Sequence, residues 1–182
     1  MSMARHFLVA SPHLGDENFF QTVVLMIQHN QEGALGLVLN RPLNRTLAEI
    51  WKLVGQGTCT RDDLLFRGGP VEGPLLAIHK HSSWGEWEVL PGIFLSSRKE
   101  LLDKLVKSDE PLRVFTGYSG WAAGQLEREL ELGGWLTTLA TAEEIFSDPL
   151  TLWKRIADRI GREIMRPVFR RKPVPADTHW WN

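Results

Sequence analysis

The chain has 182 residues, of which 43% are hydrophobic, so it can bury a core of its own and we expect a single domain. Its formal net charge of −1 argues against a global positive field that would attract nucleic acid or an anionic membrane. The single cysteine, Cys59, excludes an intrachain disulfide and a cysteine zinc site, and it suits a reducing cytoplasm. The apolar run Phe7–Ala10 is too short for a signal peptide or a membrane span, so we expect neither.

The first elements along the chain are predicted to be strands, because they are rich in Val, Ile, Leu and Phe. A turn signal from Gln28 to Gly33 leaves no room for a helix between the second and third strands, so these two are expected to form an antiparallel hairpin. The predicted strands are His6–Ala10, Thr22–His29, Ala34–Asn40, Leu64–Arg67, Leu75–His79, Trp87–Ser96, Leu112–Tyr118 and Trp135–Ala140.

Helix starts are marked by capping boxes, in which a hydroxyl and a carboxylate three residues apart satisfy the free amide groups of the first turn. The boxes are Thr46–Glu49, Ser97–Glu100 and Thr141–Glu144. Asp148 followed by Pro149 predicts another helix start, and that helix is expected to end at Gly161. A further helix is predicted to begin near Ala122 and to end at Gly133 and Gly134.

The composition changes after Gly161. Residues 162–172 carry five basic side chains against Glu163, a local charge of +4, and Pro173, Pro175 and two tryptophans follow. We therefore divide the chain into a domain at 1–161 and a basic C-terminal tail containing proline and tryptophan at 162–182. A tail this short neutralises few phosphates, so a solvated tail or a strap docked on the domain is favoured over nucleic-acid binding.

The segment Gly117–Trp121 is expected to join a strand to a helix through a glycine turn. It is not a nucleophile elbow, because Trp121 stands where that motif needs glycine two residues after Ser119. It is not a P-loop either, since Gly124-Gln125 supplies no lysine. A tight packing joint is the favoured interpretation. The alternative is a cradle for an anion or small ligand, formed by backbone N–H groups above the turn.

Two other turns place arginine beside glycine or a strand end. Arg67 precedes Gly68-Gly69-Pro70, and its planar fork could bind a carboxylate or phosphate, although pairing with a neighbouring acid is favoured. Asn40 and Arg41 leave a buried-looking strand just before a capped helix. The candidate ligand-binding residues are therefore Asn40, Arg41, Arg67, Gly68, Gly69, Gly117, Tyr118, Ser119, Gly120, Trp121 and Gln125.

Other chemistry is weakly indicated. His79 and His81 have a spacing that puts both rings on one face of a strand, but no third ligand is fixed, so we predict no metal site and no cofactor. No pair of nucleophile and base stands out, so no catalytic residue is predicted. Trp84 and Trp87 mark either buried contacts or a partner surface.

Taken together, the motifs resemble the YqgE/AlgH family (UPF0301/DUF179) of bacterial proteins. The resemblance covers about residues 6–160 and rests on Leu8–Pro12, Phe19–Phe20, Glu32–Leu43, Gly68–Val71, Gly117–Trp121 and Gly124–Glu127, in that order. It implies an α+β (mixed α/β) fold with a curved, largely antiparallel mixed sheet, flanking helices and a smaller lobe at about 71–97. Family members look cytoplasmic and carry a regulatory label without an agreed ligand. The chain departs from the family pattern in two places: at Ser119, where the family usually has alanine, and in the C-terminal tail.

The sequence therefore favours a non-enzymatic cytoplasmic protein that binds a small anionic ligand or a protein partner through a groove near the Gly68 and Gly117 turns. One alternative is an enzyme on an anionic small molecule, using Arg41, Arg67 and the Gly117 turn. A further alternative is a DNA-binding transcriptional regulator, but nucleic acid is disfavoured because the tail is the only basic patch in the sequence. No membrane association is expected.

Overall fold

The computed structural model describes residues 2–12, 14–54 and 58–169. The described strands are β1 (His6–Ala10), β2 (Val23–Asn30), β3 (Gly33–Val38), β4 (Pro42–Thr46), β5 (Leu64–Arg67), β6 (Leu76–His79), β7 (Trp87–Leu90), β8 (Ile93–Ser96), β9 (Leu112–Thr116), β10 (Ser119–Ala122) and β11 (Trp135–Leu139). The α-helices are α1 (Leu47–Val54), α2 (Lys99–Leu105), α3 (Gln125–Glu131), α4 (Ala142–Ile145) and α5 (Pro149–Phe169). No described helix is both long and apolar enough to cross a membrane.

The first sheet has five strands in the order β10-β3-β2-β1-β11, and every neighbouring pair is antiparallel. Both faces of this sheet are covered, because alternate residues of β1 enter different clusters. Phe7 and Val9 pack with α5 and the second sheet, whereas Leu8 packs with Trp121 and the helix α3. A near-continuous apolar run in β1 is what a strand with two buried faces requires.

The second sheet has six strands in the order β4-β5-β9-β6-β8-β7. Only β5 and β9 run parallel; the other pairs are antiparallel. One face contributes Phe66, Ile78 and Phe115 to the core shared with the first sheet. The opposite face is covered by α1 and α2, where Trp51 and Leu105 are fully or almost fully buried. Residues 71–97, predicted as a smaller lobe, supply β6, β7 and β8 to this sheet.

The chain passes from one sheet to the other between β3 and β4 and again between β9 and β10. The first passage is held by Arg113, whose Nη1 donates to the Leu39 carbonyl at 3.0 Å and whose Nη2 donates to the Ser147 carbonyl. Its guanidinium also lies over the Phe66 ring, 4.7 Å from the centroid. Burial lowers the pKa of Arg113 to about 10, against the opposing effect of Asp148. Arg113 therefore joins the first passage to the segment before α5.

The predicted fold class, α+β with largely antiparallel strands and flanking helices, is confirmed, and the strands divide between two sheets. The prediction of one strand over Trp87–Ser96 is wrong: Gly92, with φ +73°, turns the chain between β7 and β8. The prediction that α5 ends at Gly161 is also wrong, because the helix continues to Phe169. Glycine in a helix interior costs only about 1 kcal/mol relative to alanine, so one glycine need not end a helix. The rest of the predicted tail, residues 170–182, lies outside the described residues.

The predicted direct step from glycine turn to helix does not occur. Residues Ser119–Ala122 form β10, which pairs with β3, and the helix α3 begins only at Gln125. The pattern was ambiguous because an alternating run of four residues fits an edge strand as well as a helix start. The short strand β4, paired with β5, was likewise missed, since Pro42 indicated a break and Pro is tolerated at the start of an edge strand.

One of the three predicted capping boxes forms in full and a second forms in part. Thr46 and Glu49 each accept the other's backbone amide through their side chains. The Thr141 hydroxyl accepts the Glu144 amide, but the Glu144 carboxylate accepts the Thr141 hydroxyl rather than the Thr141 amide. The box at Ser97 is wrong, because the Ser97 amide donates to Glu86 instead, and so does the Arg98 amide. Burial alone would raise the pKa of Glu86, but these hydrogen bonds hold it below its usual value. The Glu86 carboxylate, just before β7, therefore satisfies the amides that a local cap would have satisfied.

Candidate functional site

The two glycine motifs of the sequence meet in space. We call residues 68–71 and 117–119 the glycine joint. Val71 and Tyr118 form an isolated antiparallel bridge, with both N–H···O distances at 3.0 Å. The Gly68 amide donates to the Thr116 carbonyl at 2.9 Å, and the buried Ser119 hydroxyl donates to the Gly68 carbonyl at 3.1 Å. The joint thus fixes the second passage between the sheets.

Glycine is required at this joint because two stretches of backbone touch. A Cβ on Gly69 would lie 2.2 Å from the Tyr118 carbonyl carbon, and one on Gly68 would lie 2.3 Å from the Gly117 oxygen. Gly117 also has φ +69°, a conformation that L side chains rarely adopt. The packing interpretation therefore accounts for these glycines, and any ligand must bind beside the joint rather than within it.

The larger of two clefts beside the joint lies between the sheets, with a volume of about 580 Å³, and we call it the inter-sheet cleft. Trp87 is 55% exposed, and Tyr118 is half-buried, without a hydrogen-bond partner for its hydroxyl among the described residues. Glu88 is committed in part, since it accepts the Gly92 amide at 2.9 Å. The lining is mostly apolar and consists of Ile27, Gln28, Leu35, Pro74, Leu76, Trp87, Glu88, Val89, Leu95, Ser97 and Tyr118.

The other cleft is polar, measures about 400 Å³, and is called the Arg67 cleft here. Arg67 is exposed and makes no side-chain hydrogen bond or ion pair with any described residue, so the predicted pairing with a neighbouring acid is not formed. The cleft is lined by Arg67, Gly69, Pro70, Val71, Glu72, Gly73, Thr116 and Gly117. The structure therefore brings Arg67, Gly69 and Gly117 together, as three of the predicted ligand-binding residues.

Asn40 and Arg41 line neither cleft. The Asn40 side chain accepts the Val23 amide at 2.9 Å and donates to the Gln21 carbonyl at 2.8 Å. Arg41 donates to the Phe20 carbonyl, and burial lowers its pKa. Both side chains hold the first passage against the segment before β2, which is a structural task.

The residues that follow the joint serve another network. Glu129 accepts the indole N–H of Trp121 at 2.9 Å and that of Trp135 at 2.8 Å through the same oxygen. Its second oxygen accepts from Gln125 at 3.0 Å. Trp121 and Gln125 thus anchor α3 on the first sheet, and the exposed Gly120 lies between this network and the joint.

Contacts within the fold hold both histidine rings. His79 is buried, its Nε2 lies 3.0 Å from the Ser96 hydroxyl, and its Nδ1 accepts the His81 amide at 3.2 Å. The His81 ring stacks on Trp84 with 3.6 Å between centroids. Among the described residues, no group of three or more potential ligands is placed to hold a metal ion.

Sequence reasoning missed most of the inter-sheet cleft. Its lining comes from strands of both sheets, and apolar residues of single strands carry no sign of which strands will face each other. The sequence offers one signal, the pair Trp84 and Trp87, which marks either buried contacts or a partner surface. Of the two, Trp87 lines the cleft and is largely exposed. Tyr118 was predicted as a ligand contact, although for its place in the glycine turn.

Comparisons with known proteins cover most of the chain. A family model described as AlgH-like (DUF179) matches residues 7–165. The chain is 40% identical over 159 residues to a UPF0301 protein of Myxococcus xanthus, covering 84% of this chain and 87% of that protein. It is 41% identical over 162 residues to a UPF0301 protein of Chlorobium chlorochromatii, covering 84% and 83%.

Solved structures agree with these sequence similarities. The solution structure of the AlgH protein from Pseudomonas aeruginosa matches with a TM-score of 0.75 and 31% identity, covering 96% of this chain and 97% of that one. A crystal structure of a Corynebacterium diphtheriae protein matches in fold, with a TM-score of 0.66 and 21% identity, covering 95% and 88%. Both clefts lie within the range that the family model matches.

Proposed function

Since the chain belongs to the AlgH-like family (DUF179), we propose that it is a binding protein that takes a small, largely apolar molecule into the inter-sheet cleft. The observation that carries this proposal is the cleft itself, whose volume of about 580 Å³ is bounded by both sheets. Ligand pockets are typically apolar concavities of about 300–1,000 Å³ with a few polar groups that set orientation. The inter-sheet cleft has these properties.

The lining indicates what kind of molecule fits. Gln28, Ser97 and the Tyr118 hydroxyl can exchange hydrogen bonds with a ligand, and Trp87 offers a ring face. Among the described residues that line the cleft, Glu88 alone is charged, so the cleft favours an uncharged or cationic ligand over an anion. A protein partner that inserted an apolar side chain here would use the same contacts.

The burial of Ser119, the candidate nucleophile, favours binding over catalysis. The Ser119 hydroxyl is fully buried and donates to the Gly68 carbonyl, so a substrate in either cleft does not reach it. The enzyme alternative also counted on Arg41, which is committed to the Phe20 carbonyl. The DNA-binding alternative draws its support from the regulatory label of the family. The basic tail that could contact DNA is described only as far as residue 169.

The proposal is tested with Nile red, an uncharged apolar dye whose fluorescence rises on burial. Titration of the wild-type protein should show saturable 1:1 binding, and Trp87→Ala should weaken it by about tenfold, as expected for losing about 1.4 kcal/mol of ring contact. Leu35→Trp, which fills the cleft, should abolish it. Leu132→Ala removes an exposed apolar side chain outside the cleft and serves as the control. Equal affinities for the wild type, Trp87→Ala and Leu35→Trp would disprove the site.

A further inference from the structure

The Arg67 cleft contains an uncommitted cation. Arg67 ends β5 beside the glycine joint, and its guanidinium makes no hydrogen bond or ion pair with any described residue. Its backbone, by contrast, is fixed, because the Arg67 amide donates to the Arg41 carbonyl at 2.9 Å and the strand pairs with β9. The cation thus projects from a rigid position, which reduces the conformational cost of binding an anion.

Free backbone donors lie around the same cleft. The amide N–H groups of Gly69, Gly73 and Gly117 donate to no acceptor among the described residues. The Thr116 hydroxyl likewise makes no hydrogen bond there. Backbone amides that lack an acceptor can donate to an oxyanion, as they do in backbone anion sites. The cleft therefore combines a fork-shaped cation with uncommitted neutral donors.

One carboxylate also lines the cleft. Glu72 is exposed and opposes a bare anion, but it can accept hydrogen bonds from hydroxyl or ammonium groups. The volume of about 400 Å³ leaves room for more than an isolated phosphate or carboxylate group. The preferred ligand must therefore carry donors as well as an oxyanion.

We propose that the Arg67 cleft binds a small molecule with a phosphate or carboxylate group on a hydroxylated or aminated body. The oxyanion pairs with Arg67 and the free amides, and the donors of the body face Glu72. This site is separate from the inter-sheet cleft and goes beyond the function proposed for it. Tyr118 lines one cleft and Gly117 the other, so the glycine joint separates an apolar site from an anionic one.

Isothermal titration with glucose 6-phosphate, gluconate and glucose tests the site on the full chain. At least one of the two anions should bind with a dissociation constant below about 10 mM, glucose should bind at least tenfold more weakly, and the preferred anion tells phosphate from carboxylate. Arg67→Ala should weaken anion binding at least tenfold, since charge-assisted contacts are the strong ones, and Arg67→Lys should restore part of it. Thr116→Val should weaken it about threefold.

The control is Arg45→Ala, which removes a likewise exposed arginine outside the cleft and should leave anion affinity unchanged. Affinity should also fall between 20 and 150 mM salt, because the guanidinium is exposed. If neither anion binds the wild-type protein, or if Arg67→Ala and Arg45→Ala bind equally well, the proposal is wrong. Nile red binding by Arg67→Ala should stay at the wild-type level, so the two sites fail or succeed independently.

Discussion

Acidification should destabilise this protein through the buried His79. The Ser96 hydroxyl donates to the Trp84 carbonyl, so it accepts a hydrogen from His79 Nε2, while His79 Nδ1 accepts the His81 amide. Both ring nitrogens are therefore satisfied only in the neutral ring with its hydrogen on Nε2. Burial, and secondarily the nearby His81, lowers the pKa of His79 to about 4.

The sign and size of the effect follow from linkage. An unfolded chain protonates this histidine near pH 6.5, whereas the native state resists protonation until about pH 4. Between these values the unfolded state binds more protons, so the free energy of unfolding falls as the pH falls. The stabilisation is complete above pH 6.5. Over roughly 2.5 pH units at 1.36 kcal/mol each, about 3 kcal/mol is lost by pH 4.

Urea denaturation of the wild-type protein and of His79→Gln, at several pH values from 7.5 to 4, measures this contribution. The glutamine amide can still donate to Ser96 but does not titrate, so the wild-type stability should fall by about 3 kcal/mol more than that of the variant. Carboxylates such as Glu86, whose pKa is lowered, act equally in both proteins and cancel in the difference. Parallel stability curves for the two proteins would refute the reasoning.

The packing of α3 and of the glycine joint gives two further predictions. Glu129→Leu should destabilise the protein by about 2–6 kcal/mol in urea denaturation, because two indole N–H groups lose their acceptor at about 1–3 kcal/mol each; a loss below 1 kcal/mol would contradict the network. Gly69→Ala should cost about 1–3 kcal/mol or more, because its Cβ would lie 2.2 Å from Tyr118 backbone. Gly120→Ala, whose nearest contact would be 3.5 Å, should change stability by less than 0.5 kcal/mol, and equal melting temperatures of the two variants would count against this account.

The sequence alone predicts those parts of the fold that depend on interactions between residues close together in the chain. Thr46 and Thr141 predicted helix starts because the caps are made by residues three positions away. Ser97 failed because its amide found an acceptor in Glu86, on the far side of a hairpin. A local pattern gives no information on an acceptor that lies elsewhere in the sequence. A tertiary hydrogen bond can therefore replace the local cap that a motif predicts.

The candidate site, like the fold, could be predicted only in part. Arg67 and Gly117 could both be predicted as candidate site residues, because each lies at a turn that contains glycine. The parallel pairing of β5 with β9 then brings them together. The inter-sheet cleft depends on how two separate sheets face each other, which apolar alternation within one strand does not encode. Trp87 shows this limit: the sequence indicates either a buried contact or a partner surface, but it indicates neither the exposure of the ring nor the cleft that it lines.

The position of β1 has a consequence for synthesis on the ribosome. This first strand lies inside its sheet, between β2 and β11, and β10 covers the other side of β3. About 100 residues separate the end of β3 from β11, which at typical elongation rates is roughly 5–20 s of translation. Until β10 emerges, about 80 residues after β3, a three-stranded meander would have an unpaired apolar strand at each border, and the β1 border stays unpaired until β11 emerges. Holding or shielding that meander until its outer strands emerge is therefore a requirement that this strand order places on the cell.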